Sequence, residues 1–440
     1  STGVYTLTNT AAADPNASIG QWVTLEAGVQ YTMHMDIVSS GSKNSIQVFY
    51  AIGGDYSEAN SLTFSGSQSK TFTVSTSGKY LIRLDNDCEG SATISNFWVS
   101  KTRTEKVNVY YNESPAGITA PTSAFYNFAG YKYNGSVNYY NASGAPLQPY
   151  AISGNATFDA QWTQKYSGTY ITNASGLSAI RNNTSGTYYL VCDIPLSNWS
   201  MISSFSGTLD GLGHSIGNLK INLSTNESNA QENVGMFQTF NGTLRNVVFS
   251  NISVAHTGYK DNIHNNNVGG VVGKMTGGLI ENVTVNYAYV DNTHERDVAG
   301  KDNKVNSYVG GIVGYATAGT IKNCSVLTGN IRANAKRCED EADAHASSGA
   351  ILGRGESGVT VSGCKRADAV VVYSYAEQRT SEWSQKNSAV RSAAGGIVGS
   401  GGCTVSGCTS TTANLSAEWT VHDKTSTSSY RLTGATKAAG

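Results

Sequence analysis

The stretch "VGGVVGKMTGGLIENVTV" at residues 268–285 decides the fold, because related copies of it occur before and after it along the chain. Each copy begins with small residues, continues with two apolar residues and ends in a second short apolar segment. The other copies read "VGMFQTFNGTLRNVVF" (234–249, degenerate), "VGGIVGYATAGTIKNCSV" (309–326), "SGAILGRGESGVTVSGCK" (348–365) and "AGGIVGSGGCTVSGCTS" (394–410).

The spacing of these copies predicts a solenoid. With Gly235, Gly270, Gly311, Ala350 and Gly396 taken as equivalent, the intervals are 35, 41, 39 and 46 residues. Recurrence every 20–50 residues is typical of solenoids and propellers. Since the copies have no helical period and no WD-type ending, each is expected to be a coil of β-strands that packs its Val/Ile side on the next. The glycines are expected at corners, where they permit positive φ and close backbone approach.

The copies resemble the GLUG motif, and the segment "GTYYLVCDIPLSNWSMISSFSGTLDGLGHSIGNLKI" (186–221) resembles the first coils of such proteins. The resemblance covers about 170–415 and implies a right-handed parallel β-helix of a secreted or surface-anchored protein. It implies no catalytic role for the motif itself. The residues that carry the resemblance in the opening turn are Phe205, Gly207, Asp210, Gly211, Gly213, His214 and Ile216.

Residues 1–101 show short runs of alternating apolar and polar residues between Gly/Ser/Asn turns, which predicts an antiparallel β-sandwich of the jelly-roll type. The closing segments "SGKYLIRLDN" and "SATISNFWVSK" resemble those of carbohydrate-binding sandwiches. Trp22, Tyr50, Tyr56 and Trp98 fit two interpretations: a platform that stacks on sugar rings, or ordinary packing, which we favour.

Residues 102–168 are rich in tyrosine and almost uncharged. Their second half, "GYKYNGSVNYYNASGAPLQPYAISGNATFDAQWT" (130–163), resembles the Listeria–Bacteroides repeat, which implies a small β-grasp-like extracellular module. The chain is therefore expected to be all-β, with a sandwich at 1–101, this module at 102–168, and a β-helix with a C-terminal tail at 169–440.

Composition excludes two classes of function. The net charge is -1 and charged residues make up 14% of the chain, so no basic excess exists to neutralise nucleic-acid phosphates. No apolar run is long enough for a membrane span. The chain begins with Ser1 rather than Met, which fits removal of a leader or a boundary within a longer chain. We expect an extracellular or cell-surface protein.

Sixteen Asn-x-Ser/Thr sequons occur, close to twice the number that the composition predicts by chance. They favour an extracellular glycoprotein, although asparagine and serine also cluster in β-turns. The candidate glycosylation sites are Asn16, Asn112, Asn134, Asn141, Asn155, Asn173, Asn198, Asn222, Asn226, Asn241, Asn251, Asn282 and Asn414.

Seven cysteines are too few and too scattered for a disulfide scaffold or a zinc site. Cys324, Cys364 and Cys408 occupy the same phase of successive repeats, so they are expected to form an internal ladder, either as packed thiols or with a disulfide across two rungs. Cys403–Cys408 and Cys338–Cys364 are other candidate bridges. The run "CEDEADAH" (338–345) lacks the spacing of a calcium loop, and we expect no metal and no cofactor.

A β-helix enzyme would need carboxylates that converge in a groove. Asp210 and His214 are the tempting pair, but Asp210 is expected to cap the opening turn. The remaining acids fall between the motifs and are expected in loops: Asp291, Glu295, Asp297, Asp302, Glu339, Asp340, Glu341 and Asp343.

Four charged insertions, at 255–267, 291–307, 332–347 and 373–393, separate the repeats and are expected to stack on one side of the solenoid. Such insertions often form the binding face of a repeat protein. The tail, 416–440, is expected to cap the last coil or dock on a neighbour. We therefore expect a non-catalytic surface adhesin or a subunit of an extracellular filament, which self-associates or contacts other extracellular proteins or glycans. The alternative is a polysaccharide lyase or hydrolase with an accessory sandwich.

Overall fold

The computed structural model confirms an all-β protein, with 63% of residues in strands and 3% in helices. It describes residues 5–9, 17–39, 46–53, 60–86, 90–101, 108–225, 232–259, 265–296, 304–337, 343–379, 390–411, 413–422 and 427–433. By contacts the chain divides into two compact units, one mainly Leu7–Ala92 with Phe97–Thr169 and the other mainly Tyr170–Gly440.

Eight strands form the N-terminal sandwich. One sheet has the order β1-β8-β3-β6 and the other β2-β7-β4-β5, and the pairs β2–β7, β4–β7, β4–β5 and β3–β6 are antiparallel, as predicted. The strands are β1 (Tyr5–Asn9), β2 (Ala17–Leu25), β3 (Gln30–Ser39), β4 (Ile46–Ile52), β5 (Asn60–Phe64), β6 (Ser67–Thr73), β7 (Gly78–Asn86) and β8 (Gly90–Lys101).

Two of the four aromatic residues that fit either a sugar platform or packing are described by the structure, and these two do not share one surface. Tyr50 is 7% exposed and packs against Phe72 in the core with its ring tilted by 46°, whereas Trp22 is 53% exposed. Tyr56 and the side chain of Trp98 lie outside the described part of the chain. The packing interpretation therefore holds for Tyr50. It does not hold for Trp22, which is exposed.

The middle module contains a three-stranded antiparallel sheet of order β10-β9-β11, formed by β9 (Tyr126–Tyr133), β10 (Val137–Tyr140) and β11 (Asp159–Gln164). Its core is aromatic, with Tyr139, Tyr150 and Phe158 packed together. No helix occurs within residues 108–168, so the described module has the sheet of a β-grasp-like unit without the helix.

The second unit begins with a short cap and continues as a stack of coils. The cap consists of β12 (Thr169–Ile171), α1 (Ala174–Ser178) and a 3₁₀ helix (Ala179–Asn182). The strands of the coils are β13 (Thr187–Leu190), β14 (Ile194–Pro195), β15 (Ile202–Phe205), β16 (Thr208–Asp210), β17 (Ser215–Gly217), β18 (Leu219–Thr225), β19 (Asn233–Val234), β20 (Phe237–Phe240), β21 (Thr243–Arg245), β22 (Val248–Phe249), β23 (Ile252–Tyr259), β24 (Asn265–Gly269), β25 (Val272–Met275), β26 (Leu279–Glu281), β27 (Thr284–Arg296), β28 (Val305–Gly310), β29 (Val313–Lys322), β30 (Ser325–Arg337), β31 (Ala344–Gly349), β32 (Leu352–Ser362), β33 (Lys365–Arg379), β34 (Val390–Gly395), β35 (Val398–Gly401), β36 (Thr404–Ser406), β37 (Leu415–His422) and β38 (Thr427–Thr433).

These strands stack coil upon coil into three sheets. Sheet I has twelve strands and contains β29 and β32, sheet II has ten and contains β27, β30 and β33, and sheet III has the five strands β19-β24-β28-β31-β34. Neighbouring coils pair in parallel, for example Val313 with Leu352 and Gly310 with Gly349. The repeat spacing read from the sequence is therefore the spacing of the coils, and the predicted parallel β-helix is confirmed.

The glycines of the motif make the corner between sheets III and I. A Cβ on Gly310 would lie 1.8 Å from the carbonyl oxygen of Val313, and one on Gly314 would lie 2.5 Å from the amide nitrogen of Val268 in the preceding coil. Neither glycine has a positive φ. The motif therefore needs glycine because backbones touch there, and the predicted positive φ belongs to another corner.

That second corner joins sheets I and II. Asn246, Asn282 and Asn323 stand there with φ of 53°, 52° and 53°, and Gly363 and Gly407 follow in the later coils. Asparagine and glycine tolerate this left-handed conformation better than other residues. The Nδ2 of Asn282 donates a 3.1 Å hydrogen bond to Oδ1 of Asn246, so the corner is also tied from coil to coil.

In their described residues, the four insertions predicted as loops are almost entirely strand. Strand β27 runs to Arg296, β30 to Arg337 and β33 to Arg379, each in register with its neighbour. Asp291 and Glu295 therefore lie on a strand, Asp343 immediately precedes β31, and Asp297, Asp302, Glu339, Asp340 and Glu341 lie outside the described residues. The prediction was wrong for Asp291 and Glu295 because the inward positions there are partly polar, which hides the strand pattern. We call these parts of sheets II and III the strand extensions.

The C-terminal tail belongs to the last coil. Strand β37 pairs in parallel with β33, and β38 folds back to pair with β37 in antiparallel orientation. The tail thus supplies the last two strands of sheet II, β37 in the last coil and β38 beyond it. Within the described residues, strands β34, β35 and β36 of sheets I and III have a neighbour on one side only.

Candidate binding face

The outer surface of sheet II along the strand extensions carries a regular array of polar and aromatic side chains. Its positions alternate with inward ones, since Tyr289 and Asp291 point outward while Val290 and Asn292 are buried. We call this surface the tyrosine face and define it by Tyr289, Asp291, Arg332, Tyr373, Tyr375 and Glu418, while Glu377 beside it is only 5% exposed.

Parallel pairing places these side chains in rows that cross the coils. Asp291 lies beside Arg332, which lies beside Tyr373. In the next row Asn334 is followed by Tyr375 and then Glu418. Because adjacent strands are about 4.8 Å apart, an extended partner lying across the coils meets one such side chain per strand.

Tyrosine hydroxyl groups on this face are held by carboxylates. The hydroxyl of Tyr373 donates to Oε2 of Glu418, and that of Tyr375 donates to Oε2 of Glu377, each at 3.2 Å. Tyr289 donates to Oδ2 of Asp291, also at 3.2 Å. The ring tips are therefore fixed before any partner arrives, which lowers the entropy cost of binding.

Burial shapes the ionisation of the face. Desolvation raises the pKa of the Asp291 carboxyl above its ordinary value, and the hydrogen bond from Tyr289 and the charge of Arg332 oppose that shift. The pKa of Tyr289 is also raised, first by burial and then by the charge of Asp291. Oδ1 of Asp291 is buried and has no hydrogen-bond partner.

The interior behind this face is polar as well. Nδ1 of His256 lies 2.9 Å from Oδ1 of Asn292, whose Nδ2 donates to Oγ of Ser307 at 2.6 Å. Asn266 and His294 share the same interior and are 2% and 1% exposed. Burial lowers the pKa of His256 below its ordinary value.

Asp210 and His214 do not form a pair. As predicted, Asp210 caps its own turn, since Oδ1 accepts from the amide of Leu212 at 3.0 Å. Its Oδ2 lies 2.7 Å from Nε of Arg245, whereas Nδ1 of His214 lies 3.5 Å from Oδ1 of Asp193. Sequence reasoning missed Asp193 and Arg245, which only the coil register brings into contact.

A column of alternating charge runs along the sheet I edge of the Asn corner. Asp210, Arg245, Glu281 and Lys322 are neighbours in register in successive coils. The Asp210–Arg245 ion pair is joined by a Glu281–Lys322 pair at 2.9 Å. The column stabilises coil stacking and brings no two carboxylates together.

The structure places Cys324, Cys364 and Cys408 at matching positions of successive coils, where the two preceding coils have Val247 and Val283. Cys324 and Cys364 are fully buried, and burial raises the pKa of the Cys324 thiol well above its ordinary value. These three cysteines, together with Cys192 and Cys403, are free thiols in the described chain, and Cys338 lies outside it. This column therefore accommodates small apolar side chains such as those of valine and cysteine.

The candidate glycosylation sites differ in what holds the asparagine. In Asn282, Asn251 and Asn414, Nδ2 is already a hydrogen-bond donor, to Asn246, Asn218 and Asp368 respectively. Oδ1 of Asn173 caps α1 and that of Asn141 accepts from Ser143. Exposed asparagines with no such bond shown are Asn112, Asn134, Asn155, Asn198, Asn222 and Asn241, while Asn16 and Asn226 lie outside the described residues.

No cluster of three or more His, Cys, Asp or Glu residues suited to a metal ion occurs in the part of the chain that the structure describes. Near the "CEDEADAH" run, Oδ2 of Asp343 lies 3.6 Å from Nζ of Lys304 and 4.0 Å from Nε2 of His345. The helices in the described ranges are all too short to cross a bilayer.

The coil stack and its glycine corners define a parallel β-helix of the solenoid class. Within it, residues 305–331 match the family model of the GLUG motif, which spans β28 and most of β29 and β30. A solved structure titled "CBM4 structure and function" is 18% identical over 23% of this chain and 72% of its own, with a TM-score of 0.19. No curated protein matches the chain.

Proposed function

We propose that this protein is a non-catalytic extracellular adhesin that holds a protein or glycan partner on the tyrosine face. The observation that carries the proposal is the in-register array of tyrosines and charges on the strand extensions. Tyrosine and asparagine are frequent in recognition surfaces because they offer large contact area and hydrogen bonding at low entropy cost. The resemblance to the GLUG motif supports an extracellular location.

The rigidity of the face supports a binding role. Its side chains stand on paired strands and its tyrosine hydroxyl groups are hydrogen-bonded, so the free protein is already close to a bound conformation. The face is also mixed in charge, since it carries Arg332 together with Asp291 and Glu418. A partner with both donors and acceptors, such as a glycan chain or a polar protein surface, fits this pattern better than an anionic polymer does.

The test is a binding screen of the whole chain on a glycan array and on immobilised extracellular proteins. The triple variant Tyr289→Ser, Arg332→Glu and Tyr373→Ser is expected to lose binding at least tenfold. The matched control is Tyr189→Ser, which removes a tyrosine from the outer side of β13 in sheet I. Equal loss in the control, or binding that survives the triple variant, contradicts the assignment of the face.

The competing function is a carbohydrate-active enzyme. Release of reducing ends or unsaturated products from pectin-like or alginate-like polymers, at a rate that exceeds a heat-denatured sample, would support it instead. Asp210 is held in a turn cap and an ion pair, so Asp210→Asn is expected to change stability rather than any such rate.

A further inference from the structure

The two ends of the coil stack differ in how they are closed. At the first coil, the cap of α1 and the 3₁₀ helix covers the core, and Leu177 and Ile180 in it are fully buried. At the last coil, within the described residues, the strands of sheets I and III present a free edge. The core is therefore capped at the first coil, whereas within the described residues no such cap covers the last coil, which we call the open end.

At equivalent inward positions, side chains are less buried in the last coil than in the coil before it. Leu352, Val361 and Val372 are fully buried, whereas their partners in the last coil, Val398, Val405 and Leu415, are only half-buried. Cys364 and Cys408 show the same difference. Within the described residues, the last coil has the apolar side chains of an interior layer, and no further complete coil lies on top of it.

The free edges are short, but their strands carry little of the charge and none of the proline that guard other exposed edges. Natural sheets guard exposed edges with charges, prolines or bulges. Strands β34, β35 and β36 contain no proline and a single charged residue, Arg391. Two copies of this end therefore meet with little like-charge repulsion.

We propose that the open end is a self-association surface, which pairs tail to tail with the open end of a second copy of this chain. Head-to-tail stacking needs a free first coil, and that coil is capped. A surface that is complementary to itself closes a two-fold dimer and stops there. The two-fold axis makes the paired edge strands antiparallel, the orientation in which β38 already adds to β37 at this end.

The open end and the tyrosine face are different surfaces, so self-association at one can fail without loss of binding at the other. The decisive experiment is sedimentation velocity and light scattering of the whole chain over a wide concentration range. The expected result is a reversible monomer–dimer equilibrium with no larger species. A monomer at every soluble concentration, or masses that grow beyond the dimer, overturns the proposal.

Variants then locate the contact. Val398→Lys with Val405→Lys places two ammonium groups in the end layer and is expected to raise the dimer dissociation constant by about a hundredfold. Thr404→Lys is a milder edge variant on an exposed position of β36, expected to raise it by about tenfold with unchanged circular dichroism. Thr360→Lys, at the register position of Thr404 one coil inward, is the control and should leave the constant unchanged. A dimer that survives the first two variants but dissociates in the triple variant of the tyrosine face places the contact elsewhere and refutes the proposal.

Discussion

The body of the β-helix and its strand extensions have the same parallel hydrogen-bonded backbone but opposite interiors. In the body, Phe237, Phe240 and Val313 are fully buried among apolar neighbours. In the extensions, His256, Asn292 and Ser307 are just as buried and are joined by hydrogen bonds. A coil stack can therefore continue on backbone pairing and polar contacts where apolar packing ends, and the two parts should respond differently to mutation.

The largest expected effect is in the body. Phe240 packs against Phe205 and Phe237, with ring centroids 5.9 and 5.7 Å away. Phe240→Ala is expected to lower the free energy of unfolding by about 3–5 kcal/mol, because it removes apolar contacts and leaves a cavity. Urea denaturation followed by circular dichroism measures this. A loss below that of the next variant would mean that the body is no better packed than the extensions.

A smaller loss is expected in the extension. Asn292→Ala removes the bond to His256 and the bond to Ser307, and leaves buried polar groups unpaired at a cost of about 1–3 kcal/mol. The opening should be local, so hydrogen exchange is expected to speed up in 252–259 and 284–296 while 237–245 stays protected. Uniform loss of protection would show that body and extension unfold as one.

Lowering the pH is expected to destabilise the strand extensions more than the body of the β-helix, without any mutation. Because burial lowers the pKa of His256 in the folded state, the unfolded state takes up the proton first as the pH falls through 6.5. The contribution of the neutral His256 side chain to the free energy of unfolding is therefore complete above pH 6.5 and is lost progressively below it. Hydrogen exchange at pH 7 and pH 5, corrected for intrinsic rates, is expected to show opening of the extension at the lower pH. His256→Asn serves as the comparison, and an unchanged pH response in it would assign the effect to another group such as His345, whose pKa burial also lowers.

The smallest effect is expected in the cysteine column. Cys324→Val restores the residue type that stands at this position in the two preceding coils, so the change should be below about 1.5 kcal/mol. Thiol titration in denaturant checks the same column: fewer free thiols than cysteines would reveal a bridge. A large loss of stability on replacement would show that the thiol does more than fill space.

The difference between the body and the strand extensions also explains which strands the sequence could predict. The motif copies predicted the coils because their apolar residues must repeat wherever the body repeats, and glycine is needed wherever two backbones touch, as at Gly310. In "YVDNTHER" (289–296) the inward positions are Val290, Asn292 and His294, so the alternation of apolar and polar residues disappears and the strand reads as a loop. The insertions predict which side of the solenoid carries the charges. They do not predict the tyrosine face, because that surface depends on the register between coils.

The charge column at Asp210, Arg245, Glu281 and Lys322 has a consequence for how such a protein can lengthen. Duplication of one coil would set two like charges side by side, for example Glu281 beside a copy of itself, and like charges in register repel. Duplication of two consecutive coils keeps the order of negative and positive intact. Inherited growth of this part of the solenoid by gene duplication is therefore favoured in pairs of coils, and an odd number of added coils requires a compensating change of charge.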